Sequence, residues 1–235
     1  MSLITALALS GARAGWPVTI DGVASGPVFA SAGRVVLTVG SRVQGTSRIV
    51  VVDPRTRALS RSPRLAIRTA ESGVDCVASL PERPLVARDG KIVVFSAVDT
   101  AIFALDPSLT LLPGWPYHMA TPLVRAGYEE PDSLNCLGIA IPAVSPDGVL
   151  YLPLQARGPK VGGMLVAIGP NGRVRQGWPV ELQRPGSEFW SVAVGSDGTA
   201  YALAVEPESS QASSATILAI APDSSVLYRT TIIDR

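Results

Sequence analysis

The segment 117–140 holds the densest group of side chains that could do chemistry. Seven of its residues could bind or react with a ligand: Tyr117, His118, Arg125, Tyr128, Glu129, Glu130 and Asp132. Carboxylates are the ligands that calcium, a hard cation, prefers in proteins. Adjacent acids in a loop are more commonly just solvated, so we expect a ligand-binding loop without a resident metal or cofactor. Calcium is the alternative.

His118 is the only histidine of the chain. A histidine-based triad and a zinc site with several histidines therefore cannot form within it. The sequence also lacks the Gly-x-Ser-x-Gly elbow, the Walker loop, the Gly-x-Gly-x-x-Gly fingerprint and the His-Glu-x-x-His motif. We predict no catalytic residue.

Trp190 closes a short run of acidic and aromatic residues that begins with Glu188. An indole beside a carboxylate could stack on a sugar or on another flat ligand. The other interpretation is that Trp190 packs in the core. We include Trp190 and Glu188 among the candidate ligand-binding residues.

The two cysteines, Cys76 and Cys136, lie too far apart in sequence for a Cys-x-x-Cys metal or redox motif. They are either small buried side chains or the partners of one disulfide. The sequence leaves both possibilities open.

Composition and charge exclude several classes of protein. Of the 235 residues, 47% are hydrophobic, which is enough to form a core and argues against disorder. The 22 glycines and 20 prolines argue against a helical bundle. A net charge of +1 gives no overall attraction to nucleic acid or to an anionic membrane. No apolar run reaches the ~18 residues that span a bilayer.

Arginines are concentrated between Arg34 and Arg68. Eight arginines fall in this stretch, against one acid, Asp53. The stretch could be an anion-binding strip, but no aromatic residues interleave for base stacking. We favour a solvated outer strand with its turns.

Three Gly-Trp-Pro triplets, at 15–17, 114–116 and 177–179, reveal an internal repeat. Two further markers recur four times each. Apolar runs flank a Gly turn at 27–37, 84–94, 142–152 and 191–201, and an apolar strand ends in a Pro turn at 49–54, 102–107, 165–170 and 217–222. Asp-Gly between such runs predicts a hairpin because Gly adopts positive φ without penalty, and Pro presets φ for a turn.

Each repeat is therefore predicted to form four antiparallel strands, A to D, as in a β-propeller blade. Blade sheets are buried on both faces, which explains nearly continuous apolar strands such as Ile49–Val52. We predict an all-β propeller of about four and a half blades: a half blade (strands C and D) at 3–20, blade 1 at 25–63, blade 2 at 84–117, blade 3 at 141–181 and blade 4 at 189–233. The half blade explains the N-terminal residues better than a secretion signal does. The odd count leads us to expect a piece of a larger propeller, with a small or irregular ring as the alternative.

The repeat resembles the pyrroloquinoline-quinone-like β-propeller repeat family. The matching pattern, an apolar strand with Asp-Pro or Gly-Pro followed by Gly-Trp-Pro, occurs at 102–116 and 165–179. In this family a Trp at the end of each unit packs between neighbouring blades. The resemblance assigns this structural docking role to Trp16, Trp115 and Trp178. Some members are quinoprotein dehydrogenases that bind the quinone with calcium, but this chain resembles the non-enzymatic branch, because the enzymes' ligand cluster has no match.

In such blades the A–B and C–D turns lie on one face and are short, whereas the B–C and D–A connections lie on the other and are long. Binding concentrates on loops that a rigid scaffold carries. We therefore predict a non-catalytic binding or scaffold module that uses the long-loop face for a protein or glycan ligand. The alternative is part of a quinone-dependent dehydrogenase or of a polysaccharide-active propeller enzyme.

The expected partners are a protein or carbohydrate ligand and further blades of the same larger protein. We expect neither nucleic acid binding nor a membrane span. By analogy with the family, the expected location is bacterial and extracytoplasmic, either periplasmic or secreted.

Overall fold

A computed structural model shows a chain built from β-strands. It describes residues 2–4, 7–8, 11–12, 18–25, 28–30, 33–41, 46–65, 83–96, 101–118, 141–154, 162–207 and 213–232. No α-helix occurs among these residues, and hence none that is long and apolar enough to cross a membrane. The strands in these ranges, numbered in chain order, are β1 (Ser2–Ile4), β2 (Leu7–Ala8), β3 (Gly11–Ala12), β4 (Val18–Ile20), β5 (Val23–Ala24), β6 (Val28–Phe29), β7 (Val35–Ser41), β8 (Thr46–Val52), β9 (Leu59–Arg61), β10 (Leu85–Val86), β11 (Ile92–Ser96), β12 (Ala101–Leu105), β13 (Tyr117–His118), β14 (Ala143–Val144), β15 (Leu150–Leu154), β16 (Met164–Ile168), β17 (Val180–Glu181), β18 (Glu188–Val194), β19 (Ala200–Pro207), β20 (Ser213–Ile220) and β21 (Val226–Ile232).

The chain divides into two compact units, Met1–Leu112 and Pro113–Arg235. The first unit begins with two small antiparallel pairs. β1 pairs with β4, with Ser2 opposite Ile20, and β2 pairs with β3, which lie between them in sequence. Apart from Ser2, these strands fall within the range 3–20, whose assignment to a half blade stays a prediction.

The first large sheet has the order β5-β7-β8-β9, and β6 also pairs with β7. β5 and β6 together occupy the position of a single edge strand, because they pair with opposite ends of β7. Ser25 extends the pairing beyond β5: its amide donates to the Thr38 carbonyl oxygen at 2.8 Å, and its hydroxyl accepts from the Thr38 amide at 2.9 Å. The sequence analysis did not predict β5.

Both faces of this sheet are buried. Neighbouring residues of a strand point to opposite faces, so the uninterrupted apolar run Ile49–Val52 supplies side chains to both. Val51 belongs to an apolar cluster that includes Phe103 of β12. Val50 belongs to a second cluster that includes Ile20 of β4. β10, β11 and β12 form the next antiparallel sheet.

In the second unit, β14–β17 and β18–β21 each form a four-stranded antiparallel sheet in sequence order. The two sheets share one apolar cluster, to which the first contributes Tyr151 and Leu165 and the second Phe189 and Leu218. Tyr151 and Phe189 are fully buried. Large aromatic side chains stabilise such a core strongly, because the apolar area that each one removes from water is large.

The predicted Asp-Gly hairpins join β14 to β15 and β18 to β19. In the second hairpin, Gly198 has a φ of +84°, in the region that favours glycine. The Asp197 carboxylate accepts hydrogen bonds from the amide and the hydroxyl of Thr199, at 3.0 and 2.9 Å. Local turn chemistry therefore fixes the point at which each chain reversal occurs.

Candidate functional site

Trp190 lies in β18 with 51% of its surface exposed, whereas its neighbour Phe189 is fully buried. The pairing of β18 with β19 explains this difference. Phe189 lies opposite Ala204 and Ser191 opposite Leu203, so Trp190 is an extra residue with no partner in β19. A β-bulge of this kind redirects a side chain, and bulges are concentrated next to functional sites. The bulge therefore turns the indole out of the core.

Glu188 fixes the orientation of this indole. The Trp190 Nε1 donates a hydrogen bond to Glu188 Oε2 at 3.2 Å. Glu188 is half-buried, and its Oε1 has no hydrogen-bond partner among the described residues. The carboxylate can accept hydrogen bonds from a ligand while it holds the ring in place.

Ile141 lies beside Trp190 through the backbone. Its amide donates to the Trp190 carbonyl oxygen at 3.0 Å, and the Val192 amide donates to the Ile141 carbonyl oxygen at the same distance. Ile141 is 69% exposed. We call Glu188, Trp190 and Ile141 the Trp190 platform: an exposed indole with a carboxylate at its edge, and an exposed aliphatic residue on the segment that pairs with it. Sequence reasoning missed Ile141, because only tertiary pairing reveals its parallel bridge with Ser191.

The residues at the start of the segment 117–140 are ordered as the short strand β13, not as the opening of a loop. His118 is exposed, and Tyr117 is half-buried. The Tyr117 hydroxyl is buried and has no hydrogen-bond partner among the described residues. Burial raises the pKa of Tyr117 to about 12, because the phenolate would lose its hydration.

The other predicted ligand-binding residues lie outside the described residues: Arg125, Tyr128, Glu129, Glu130 and Asp132. The same holds for Trp16 and for the candidate disulfide partners Cys76 and Cys136. These assignments stay predictions. Within the described ranges, no three His, Cys, Asp or Glu side chains come together to hold a metal ion.

Trp115 and Trp178 are both buried and make equivalent contacts. The Trp115 Nε1 donates to the Pro170 carbonyl oxygen at 3.1 Å, and the Trp178 Nε1 donates to the Pro222 carbonyl oxygen at 3.2 Å. In each case the acceptor is the proline in the turn that follows the third strand of a four-stranded sheet. Trp178 also packs edge-on against Tyr151, with ring centroids 5.3 Å apart. Each indole thus joins its own segment to the turn of a sheet later in the chain.

Neither a family model nor any curated protein matches the chain. Solved structures do. A catalytically inactive virginiamycin B lyase from Staphylococcus aureus, crystallised with quinupristin, matches with a TM-score of 0.50 and 12% identity, over 100% of this chain and 75% of the lyase. A candidate 6-phosphogluconolactonase from Bacteroides uniformis matches with a TM-score of 0.55 and 17% identity, over 97% of this chain and 64% of that protein. A protein from Lactobacillus plantarum matches with a TM-score of 0.51 and 15% identity, over the same shares.

The fold is a β-propeller. The propeller's blades are the four-stranded antiparallel sheets described above, as the repeats predicted. Identities of 12–17% show the fold alone, and a propeller scaffold supports many unrelated activities. The function of this propeller has to be argued from its own residues.

Proposed function

We propose that this propeller is a non-catalytic binding module whose ligand is a glycan held on the Trp190 platform. The observation that carries the proposal is the half-exposed Trp190 indole, placed by a β-bulge and oriented by the Glu188 carboxylate. Exposing an indole costs hydrophobic free energy that burying it elsewhere would recover. A bulge that keeps it at the surface supports a role in binding.

A sugar ring fits the chemistry of this platform. The flat face of an indole packs against the C–H groups of a pyranose, while its one donor, Nε1–H, stays on the Glu188 carboxylate. The Glu188 Oε1 atom would accept hydrogen bonds from sugar hydroxyls, since an ionised carboxylate has several acceptor positions. Charge-assisted hydrogen bonds of this kind are stronger than hydrogen bonds between two neutral groups.

A protein ligand is the second candidate, and exposed Ile141 favours it. Trp is enriched among the residues that dominate protein–protein binding energy. An aromatic residue with an aliphatic neighbour forms the apolar centre of such an interface. The two candidates separate in the experiment below, because a surface built for a protein partner would bind no glycan.

The test is binding of the purified protein to a glycan array, followed by calorimetry on the best ligand. We expect Trp190→Ala to weaken binding at least tenfold and Glu188→Gln to weaken it several-fold. The control is Tyr228→Ala, which removes an aromatic residue of similar exposure from β21 of the same sheet. A glycan that binds Trp190→Ala as tightly as wild type would contradict the proposal. Absence of wild-type binding to every glycan of the array would contradict the glycan and favour the protein partner.

We further infer that the repeats are of the pyrroloquinoline-quinone-like type. The equivalent hydrogen bonds of Trp115 and Trp178 to Pro170 and Pro222 support this inference, because such indole docking is what the family pattern implies. The enzymatic alternative, a quinone-dependent dehydrogenase or a polysaccharide-active propeller, is tested by titrating pyrroloquinoline quinone and calcium. A thermal or spectral shift on titration would support the dehydrogenase and oppose the non-catalytic role.

The proposed location is bacterial and extracytoplasmic, and it rests on the family resemblance. Cell fractionation with antibodies to the protein tests it. Recovery in the periplasm or the medium is the expected result, and recovery with cytoplasmic markers would refute it.

A further inference from the structure

A cavity of about 530 Å³ lies in the first unit, in a part of the propeller that the Trp190 platform does not involve. Its charged lining consists of Arg48, Arg61, Arg64 and Asp21. A cavity of this size suits a small organic ligand. The sequence analysis favoured solvated arginines for this stretch. Arg61 and Arg64 are exposed, and with the half-buried Arg48 they line this cavity.

Strand register explains why Arg48 and Arg61 share a face. Arg48 lies two residues before Val50 in β8, and Arg61 of β9 lies directly opposite Val50. Alternate residues of a strand, and residues paired across it, point to the same side of a sheet. Val50 is fully buried on that side, so the two arginines extend an apolar face.

An irregularity after β9 adds Arg64 to the same face. Arg61 pairs with Val50, and Leu65 pairs with Ser47. Between these two pairs, the segment that follows β9 therefore has one residue more than β8 has. At this irregularity the Ser62 hydroxyl accepts a hydrogen bond from the Ile49 amide at 2.9 Å. Leu65 consequently joins the apolar cluster on the opposite face, and its neighbour Arg64 faces the cavity. Without the extra residue, Arg64 would point to the other side.

The opposite wall is the turn between β4 and β5. Gly22 has a φ of +126°, and a Cβ on it would lie 2.6 Å from the Val39 Cγ1 and 2.7 Å from the Gly40 carbonyl oxygen. The absence of a side chain therefore lets this turn approach β7 closely. Ile20 and Val39 contribute apolar surface to the lining.

The charges of this cavity are unbalanced. Three guanidinium groups face one carboxylate, and no ion pair joins Asp21 to any of them in the described part of the chain. Guanidinium groups around one small volume repel each other unless an anion lies between them. Their planar donor forks match the oxygens of phosphate and carboxylate groups.

We propose that the cavity binds a small phosphate monoester. The net charge of the lining matches a phosphate dianion better than it matches a single carboxylate. Ile20, Val39 and Val50 provide the apolar surface that would contact the organic part of the ligand. Asp21 would accept a hydrogen bond from a hydroxyl of that part.

Isothermal titration with phenyl phosphate at pH 7.5 and low salt tests the proposal, since the phosphate is then mostly a dianion. We expect measurable binding, at least tenfold weaker binding of benzoate and of inorganic phosphate, and none of phenol. Arg48→Gln and Arg61→Gln should each weaken phenyl phosphate binding at least tenfold, because a hydrogen bond to a charged group is worth about 1.5–3 kcal/mol. The matched control, Arg88→Gln, removes the same charge from an exposed turn outside the cavity and should change the affinity less than twofold.

Several results would overturn the proposal. These are no binding of phenyl phosphate to the wild type, binding of benzoate as tight as that of phenyl phosphate, or equal losses in Arg88→Gln and Arg48→Gln. If inorganic phosphate binds as tightly as phenyl phosphate, the apolar surface contributes nothing to binding, and the proposal of a phosphate monoester as the ligand is wrong. If circular dichroism shows that Arg48→Gln is unfolded, the affinity of Arg61→Gln for phenyl phosphate becomes the test, because Arg61 lies at the exposed end of β9. Trp190→Ala should retain phenyl phosphate binding, so the two proposals fail separately.

Discussion

The indole Nε1 of Trp178 donates a hydrogen bond to the Pro222 carbonyl oxygen at 3.2 Å, and this contact ties one blade to a turn of the next. The same indole packs edge-on against Tyr151. We expect Trp178→Ala to lower the free energy of unfolding by about 3–5 kcal/mol, as for other large aromatic residues in a core. Trp178→Phe should cost less, because only the hydrogen bond and part of the volume are lost.

Urea unfolding followed by circular dichroism measures both variants. The matched control is Trp190→Ala, because this second tryptophan is half-exposed in the same unit and should cost under about 1 kcal/mol. Equal destabilisation in Trp178→Ala and Trp190→Ala would show that the docked indole is not a stabilising contact.

Gly172 and Gly114 approach each other through their backbones where Trp115 docks. A Cβ on Gly172 would lie within van der Waals overlap of the Gly114 carbonyl oxygen, a backbone atom that cannot rotate away. Gly33 has nearly the same φ, +71° against +72°, but no atom of the described residues lies within 4 Å of its Cβ position. Gly33→Ala should therefore cost only the left-handed backbone strain, about 1–2 kcal/mol. Gly172→Ala should cost roughly 1–3 kcal/mol more, through steric overlap.

Chemical unfolding of the two alanine variants measures the difference between their free energies of unfolding. Because the two glycines have nearly the same φ, the backbone strain is the same in both variants and cancels in this difference. A Gly172→Ala variant as stable as Gly33→Ala would mean that the two turns can separate without loss.

The repeated elements of this propeller could be predicted from local sequence. Asp197-Gly198 specifies a hairpin by itself, because an aspartate caps the turn and a glycine supplies positive φ. The Gly-Trp-Pro repeat also marks Trp115 and Trp178, whose indoles are both buried. Such features depend on a few neighbouring residues.

Both candidate sites depend on register, which local sequence does not determine. Trp190 is exposed because one residue is inserted relative to β19, and Arg64 faces its cavity because one residue is inserted relative to β8. A shift of one residue moves every side chain to the other face of a sheet. The partner strand decides where that shift occurs, so neither Ile141 beside Trp190 nor the arginine cavity could be found from spacing alone.

The turn aspartates predict a loss of stability in acid. In the β18–β19 hairpin, the backbone hydrogen bond from Thr199, followed by its hydroxyl, lowers the pKa of Asp197. Hydrogen bonds from Ser225 and from Ser108 and Thr110 lower the pKa of Asp223 and Asp106 in the same way. Each of these groups binds a proton more readily in the unfolded chain. Their contribution is therefore complete above the ordinary aspartate pKa and is lost as the pH falls through and below that value.

Urea midpoints measured from about pH 6 to about pH 3 test this prediction. We expect the midpoint to fall with pH, and to fall less steeply in Asp197→Asn, since asparagine keeps the turn acceptor without titrating. Glu181→Gln, which removes an exposed carboxylate from β17, controls for the loss of one negative charge. Identical pH slopes in Asp197→Asn and wild type would disprove the role of the Asp197 carboxylate.

Tyr117 predicts a stabilising substitution. Its hydroxyl is buried without a hydrogen-bond partner among the described residues, and burial raises its pKa to about 12. A buried donor that lacks a partner costs about 1–3 kcal/mol, so Tyr117→Phe should raise the free energy of unfolding by roughly 1 kcal/mol. The unfolded chain ionises at the ordinary tyrosine pKa of about 10, so the wild type should lose stability as the pH rises from about 10 to about 12. Tyr117→Phe should lose less over that interval, whereas the exposed control Tyr228→Phe should follow the wild type. If Tyr117→Phe is instead less stable than wild type at pH 7, the hydroxyl makes a stabilising hydrogen bond in solution and the prediction is wrong.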